Sequence, residues 1–211
     1  MLKIWGHERS SNVQKVRWLC DELDLDYEPI DIGGTFGGNK DPAYLKLNPN
    51  GQIPTLEDGD FVLWESNSIL RYIIEKYGDG RLVPETVEGR AIANCWMDWQ
   101  LAALAGPSGE VMRATVRTPR EDWDAARIDK GAAALAAMWQ RFEDGFGDGD
   151  YVVGDFSIGD IPPGVLVQRW FAFEIERPEL PKVRAWYKRL CARAPYRTHV
   201  TTKLMPGQQD N

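Results

Sequence analysis

Residues 52–69 read Gln-Ile-Pro-Thr-Leu-Glu-Asp-Gly-Asp-Phe-Val-Leu-Trp-Glu-Ser-Asn-Ser-Ile, and their order decides the fold of the first part of the chain. A short apolar segment follows Pro54, turns at Asp58-Gly59 as a tight hairpin, returns as Phe61-Val62-Leu63, and meets Glu65-Ser66 at the start of a helix. The first N–H groups of a helix have no partner inside it, and the helix dipole favours negative charge there. Ser66 therefore occupies a place where a carboxylate is well held. The Gln52-Ile53-Pro54 edge offers a main-chain amide and carbonyl to an extended chain. A socket of this kind suits a small peptide rather than a nucleotide.

Working outward, Leu2-Lys3-Ile4-Trp5 is expected as a buried strand and residues 6–11 as a polar loop. Asn12 is a helix cap, and Val13, Val16, Leu19, Cys20 and Leu23 recur at helical spacing. The helix is a crossover, so Tyr27 to Ile32 is expected to return as a parallel strand. Asp24 falls where the left-handed conformation of a helix C-terminus would favour glycine. Residues 33–40 form a glycine-rich loop, 42–47 a short irregular helix, and Asn48-Pro49-Asn50-Gly51 a turn. Ile69, Leu70, Ile73, Ile74 and Tyr77 mark the buried face of a further helix that ends at Gly78. The order is β-α-β then α-β-β-α over residues 1–78, followed by a linker at 79–87 and an all-helical part over 88–211. In that second part a helical pattern over 88–115 is expected to break at Gly106-Pro107. Thr118-Pro119-Arg120-Glu121 is read as a capping box opening a helix that runs to about Gly145. Ser157-Ile158-Gly159-Asp160 is read as a second box, ahead of Pro162-Pro163. The last helix opens at Pro181 and stops before Pro195, and the polar tail from Thr201 is expected to be mobile.

Composition narrows the function classes. A formal net charge of −7 over 211 residues gives no basic face for phosphates, so a nucleic-acid partner is not expected. No apolar run reaches the ~18 residues of a membrane span, and the first seven residues read as a strand rather than a signal peptide. Three widely spaced cysteines, Cys20, Cys95 and Cys191, suggest no disulfide framework and fit a reducing cytoplasm. With two histidines and no Cys-x-x-Cys, neither a metal site nor a redox dithiol is expected. Cys20 and most of Trp96, Trp99, Trp123, Trp139, Trp170 and Trp186 are read as core or packing residues, and Arg113 and Arg117 as a solvated helix face.

These parts in this order resemble the glutathione S-transferase family. The most specific pieces are Asn-Gly-Gln-Ile-Pro-Thr-Leu at 50–56 and Trp-Glu-Ser-Asn-Ser-Ile at 64–69, with weaker support from Ser-Ile-Gly-Asp-Ile at 157–161. The first loop, Arg-Ser-Ser-Asn-Val-Gln-Lys-Val at 9–16, resembles bacterial members of the theta, beta and nu types that use serine or threonine. It holds neither tyrosine nor cysteine, which sets it apart from the tyrosine-type and cysteine-dependent members. The resemblance implies an α/β plus all-α fold: a thioredoxin-like N-terminal domain that binds glutathione, followed by an all-helical C-terminal domain forming a hydrophobic substrate pocket. It also implies a cytoplasmic homodimer with a detoxifying role.

What the family implies for single residues follows from the matching motifs. Pro54 is expected to be cis, with Ile53 pairing through its backbone to the cysteinyl part of glutathione. Ser66 is expected to hold the γ-glutamyl carboxylate, with Glu65 assisting at the γ-glutamyl group. Asn39 and Lys40 match the region that holds the glycyl carboxylate, and Gln52 is a further contact. Asp98 is a candidate for the glutamyl ammonium across a dimer. For the thiol, Ser10 matches the catalytic serine, Asn12 is a second donor, and Ser11 takes the role if the loop register shifts by one; all three stay open. A hydroxyl aimed at sulfur beside helix-terminal amides favours the thiolate, which is the nucleophile. The expected activity joins that thiolate to a small hydrophobic electrophile, with glutathione as co-substrate and no metal. The alternatives are glutathione-dependent disulfide reduction, as in nu-like relatives, and a non-catalytic glutathione or ligand binder.

Overall fold

The computed structural model describes residues 1–201. They divide into two units, one built from residues 1–83 together with 194–201 and the other from residues 84–193.

In the first unit, β1 (Leu2–Trp5) turns Leu2 and Ile4 into the core and leaves Lys3 and Trp5 partly exposed, the period of two that a half-buried strand requires. It is joined by α1 (Ser11–Glu22) to β2 (Tyr27–Ile30), which pairs with it in parallel, Leu2 opposite Tyr27 and Trp5 opposite Ile30. A parallel pair needs such a crossover, and α1 supplies it. The short helix α2 (Pro42–Leu45) follows, and then β3 (Thr55–Asp58), antiparallel to β1, and β4 (Phe61–Trp64), antiparallel to β3. The sheet order is β2-β1-β3-β4. Asp58 pairs with Phe61 across a two-residue turn in which Gly59 takes φ +61°, so the hairpin read from Asp58-Gly59 is present. The helix α3 (Ser66–Tyr77) packs against α1. Val13, Val16 and Leu19 of α1 and Ile69, Leu70 and Ile73 of α3 have no exposed surface, nor do Ile4 and Leu56 of the sheet. Asp58 ties the hairpin to the far end of α3 by accepting from Tyr72 Oη (2.7 Å), Lys76 Nζ (2.6 Å) and Tyr77 Oη (2.6 Å). Burial alone would raise its carboxyl, but these donors outweigh it and hold the group down to about 2. Asp24 has φ +55°, the left-handed turn expected there. Residues 194–201, one helical turn at Ala194–Tyr196 and a wider one at Arg197–Thr201, belong to this unit as well. Tyr196 meets Trp18 edge-on at 4.8 Å between ring centroids, and His199 Nε2 lies 2.7 Å from Asp21 Oδ2. The polar tail beyond Thr201 lies outside the described residues.

The second unit holds α4 (Val87–Trp99), α5 (Ala105–Ala114), α6 (Ala125–Gly145), α7 (Ile161–Ala172) and α8 (Pro181–Ala192). Its core is aromatic. Trp139, fully buried, has ring centroids 5.5 Å from Phe142, 6.4 Å from Trp170 and 6.5 Å from Trp186. Two expectations are corrected here. The pattern over 88–115 does not break at Gly106-Pro107; the helix instead widens into a π turn at Gln100–Leu104, and both residues sit inside α5. Pro107 has no N–H for the Ala103 carbonyl and its ring crowds it, which the wider turn just before accommodates. The box expected at Thr118–Glu121 does not form either. Thr118 Oγ1 donates back to the Arg113 carbonyl (2.7 Å), only a 3₁₀ turn follows at Arg120–Asp122, and the cap of α6 is Asp124, whose Oδ1 accepts from Arg127 N at 3.1 Å. No helix among the described residues is long and apolar enough to cross a membrane.

The box at Ser157–Asp160 does form. The Ser157 side chain accepts from Gly159 N, and Asp160 accepts from Ser157 N (3.0 Å), Val152 N (3.1 Å) and Trp186 Nε1 (2.8 Å). Asp160 has no exposed surface. Burial pushes its carboxyl up to about 6, against the donors that hold it ionised. Between its ordinary pKa and that value the folded chain binds more protons than the unfolded one. Its contribution is therefore complete below about pH 4 and fades as pH rises through 6. Urea denaturation of Asp160→Asn is expected to show lower stability at every pH, because buried donors lose a full acceptor. The difference from wild type should shrink by up to about 3 kcal/mol between pH 4 and 7.

Candidate glutathione site

Two loops of the first unit close on Ile53. The β1–α1 loop passes it at Gly6, which has φ +138°; a methyl there would fall 2.5 Å from Val13 Cγ2 and 3.1 Å from Ile53 Cβ. Only glycine lets the loop approach that closely in that conformation. A methyl on Gly33 would fall 3.2 Å from Ile53 Cδ1, so the glycine-rich loop closes on the same side chain. The Gly6 carbonyl accepts from Arg17 Nη2 (2.8 Å) and its N–H donates to the Ile30 carbonyl (2.8 Å), which pins the loop at its root.

The Ile53–Pro54 bond is cis, as expected. The ladder of β3 ends at Thr55, opposite both Trp5 and Trp64, so Gln52, Ile53 and Pro54 run on past both neighbouring strands. Their conformation is held from behind. The Gln52 carbonyl accepts from Tyr44 Oη (2.6 Å) and Asn48 Nδ2 (2.9 Å), and the same two groups meet Thr55 Oγ1 at 2.8 and 3.3 Å. Tyr44, Asn48 and Thr55 are all buried. The turn before them is clasped by Asn39 Nδ2, donating to the Gly51 carbonyl (2.8 Å), and Lys40 Nζ, donating to the Asn50 carbonyl (3.1 Å). Gly51 has φ +58°, and a methyl there would strike Asn39 O and Lys40 Nζ at 2.7 Å. Asn39 and Lys40 thus stand beside Gln52.

The chain enters α3 through Glu65, which is exposed and takes φ +71°. A non-glycine residue in that region is strained. Ser66 and Asn67 follow, both buried. The other helix begins in the loop already described. Ser10 is its N-cap by backbone geometry, with Gln14 N donating to the Ser10 carbonyl at 2.9 Å, but its side chain makes no capping bond. Ser10, Ser11 and Asn12 are each partly exposed. The two helix starts touch through side chains: Ser66 Oγ donates to Asn12 Oδ1 at 3.4 Å. Asp98 belongs to the second unit, exposed on α4. Cys20, in the core of the first unit, is fully buried, and burial with the neighbouring Asp21 charge raises its thiol to about 12, which makes it inert as a nucleophile.

The structure adds three residues that the sequence reading passed over. Tyr44 and Asn48 build the back wall of the Gln52–Thr55 bend. Lys15 has no exposed surface, and its Nζ donates to Ser66 Oγ (3.3 Å) and Asn67 Oδ1 (3.2 Å). One signal was available, since Lys15 lies three residues after Asn12 and four before Leu19, on a helix face that is buried at Leu19.

The first unit thus sets a thioredoxin-like sheet and a cis-proline bend alongside two helix N-termini that meet at Asn12 and Ser66. The model of the family described as "Glutathione S-transferase, N-terminal domain" matches residues 1–75. Glutathione S-transferase GstB of Escherichia coli (strain K12) is 36% identical over 196 residues, covering 92% of this chain and 94% of that protein. Glutathione S-transferase 3 of Zea mays is 31% identical, covering 97% and 96%. The crystal structure of the theta class glutathione S-transferase from Xanthomonas axonopodis pv. citri, with glutathione bound, superposes with a TM-score of 0.89 at 42% identity, covering 94% of this chain and 96% of that one. The chain belongs to the glutathione S-transferase family.

Tyr44→Phe tests the back wall. Losing the hydroxyl removes one donor to the Gln52 carbonyl and the partner of Thr55 Oγ1, and is expected to lower stability by about 1–2 kcal/mol in urea denaturation. Hydrogen exchange should speed up at the amides of Gln52, Ile53 and Thr55 while those of β1 keep their protection.

Proposed function

We propose that this chain is a glutathione transferase of the serine type, theta-like, in which the glutathione thiolate attacks an electrophilic carbon of a small hydrophobic substrate. A carbon–sulfur bond forms, and the leaving group departs with the bonding electrons. In this reading glutathione lies extended along Gln52-Ile53-Pro54, its cysteinyl part paired with the Ile53 main chain. Its γ-glutamyl carboxylate takes the Ser66 hydroxyl and the first N–H groups of α3, with Glu65 assisting at the γ-glutamyl group and Asp98 of the other copy reaching the ammonium across the homodimer. Asn39, Lys40 and Gln52 face the glycyl end. Ser10 donates to sulfur, with Asn12 as the second donor and Ser11 as its neighbour in the loop. No metal enters the chemistry. The domain to residue 78 binds glutathione, and the helical domain from residue 88, after the linker, takes the electrophile; the working form is a cytoplasmic homodimer engaged in detoxification.

The observation that carries this reading is the Ser66–Asn12 contact. It sets the start of α3, suited to a carboxylate, against the start of α1, suited to a thiolate, beside the Gln52–Pro54 bend. That is the arrangement a tripeptide with a carboxylate at one end and a thiol in the middle requires. Ser10 is preferred for the thiol because its side chain is not spent on capping α1.

With an activated aryl halide as acceptor, Ser10→Ala is expected to lower kcat by about 10- to 100-fold while the glutathione KM changes by less than about threefold. Unchanged turnover would remove Ser10 from the role. Ser66→Ala should do the reverse, weakening glutathione binding by about 10-fold or more with a smaller effect on kcat, as the loss of a charge-assisted hydrogen bond implies. Faster turnover of a mixed glutathione disulfide than of any carbon electrophile would reassign the activity to disulfide reduction.

A further inference from the structure

Lys15 is a fully buried lysine whose amine meets the head of α3. The bonds form a chain: Lys15 Nζ to Asn67 Oδ1 at 3.2 Å and to Ser66 Oγ at 3.3 Å, then Ser66 Oγ to Asn12 Oδ1 at 3.4 Å. Which way each bond runs follows from which group owns the hydrogens. An ammonium only donates, so the Ser66 oxygen accepts from it. The single hydroxyl hydrogen of Ser66 is then directed away from Lys15. Asn12 can receive that hydrogen only with its carbonyl oxygen, which turns its NH₂ to the opposite side.

We infer that Lys15 is a positioning residue of the glutathione site, committing the Ser66 hydroxyl to act as donor and, through Ser66, fixing which end of the Asn12 amide is offered to sulfur; this rests on the roles given to Ser66 and Asn12 above. At 3.4 Å the Ser66–Asn12 bond is near the end of the hydrogen-bond range, so the hydroxyl hydrogen is weakly held and readily given to a carboxylate, a far stronger acceptor. The Lys15 charge acts in the same direction, since a cation just behind the hydroxyl attracts the anion in front of it. Packing alone does not call for an amine here. A methionine of similar length would fill the same space without desolvating a charge, at the cost of leaving the Ser66 and Asn67 oxygens without this donor. The buried amine donates to Ser66 and Asn67 at the head of α3 and so sets where their hydrogens point.

Lys15→Met separates this role from a structural one. Three readouts apply: titration calorimetry with glutathione, the same with the analogue whose γ-glutamyl α-carboxylate is an amide, and the pH titration of bound thiol by thiolate ultraviolet absorbance. The expected result is about 10-fold weaker glutathione binding, reduced discrimination between acid and amide, and a bound thiol that titrates about one unit higher. A packing role would shift the melting temperature but leave the discrimination and the thiol titration at wild-type values, and that result would overturn the inference. If the methionine variant does not fold, Lys15→Gln, which keeps a donor without the charge, is read by the same three measurements. Wild-type protein giving no heat with glutathione would sink the functional reading itself, whereas wild-type binding matched by the Lys15 variant would sink this inference alone.

Discussion

Direct packing of α1 against α3 is the constraint from which the site follows. Val13, Val16 and Leu19 on one helix and Ile69, Leu70 and Ile73 on the other are sealed from solvent, together with Ile4 and Leu56 of the sheet beneath. Each such side chain contributes roughly 1.5–3 kcal/mol by burial, so the register between the helices is strongly held. That register brings the two N-termini within reach of one another, where Asn12 and Ser66 meet. Helix starts are electropositive, so two of them meeting favour an anion there. The strained backbone of Glu65 and the close passage of Gly6 are local costs of bringing both ends to one point.

The polar groups around this point hold the backbone in position. Tyr44 and Asn48 spend their hydrogen bonds on the Gln52 carbonyl and Thr55, which shapes the bend at Pro54. Asn39 and Lys40 do the same for the turn at 50–51. In the second unit the comparable device is Asp160, which gathers donors from Val152, Ser157 and Trp186 at the head of α7. In both places one acceptor collects more than one donor, which orients elements that apolar packing alone would let slide.

The sheet and its hairpin were legible in the sequence because their signals are local: alternation in Leu2–Trp5, the Asp-Gly turn at 58–59, and an apolar stripe in each of α1 and α3. The helix start at Ser66 and the proline before β3 were legible for the same reason, since both can be read within a few residues; the cis Ile53–Pro54 bond was implied by the family resemblance. Other features depend on distant neighbours. The spacing of Lys15 to Leu19 places it on the buried face of α1, but nothing local reveals that Ser66 and Asn67 lie over it. Tyr44 and Asn48 read as a short helix and a turn, and their function appears only when β3 is beside them. The Gly106-Pro107 pair suggested a break because both residues disfavour helices, yet a π turn a few residues earlier absorbed the misfit. Residues 194–201 join the first unit because Tyr196 finds Trp18 and His199 finds Asp21, partners nearly the whole chain away.

A crystal structure with glutathione bound tests most directly how a thiol tripeptide sits against the two helix starts. The γ-glutamyl carboxylate is expected about 3 Å from Ser66 Oγ, the peptide running past the Ile53 main chain, and the sulfur in hydrogen-bond reach of Ser10 or Asn12. Glutathione in the opposite direction, or with its carboxylate away from the start of α3, would contradict that placement.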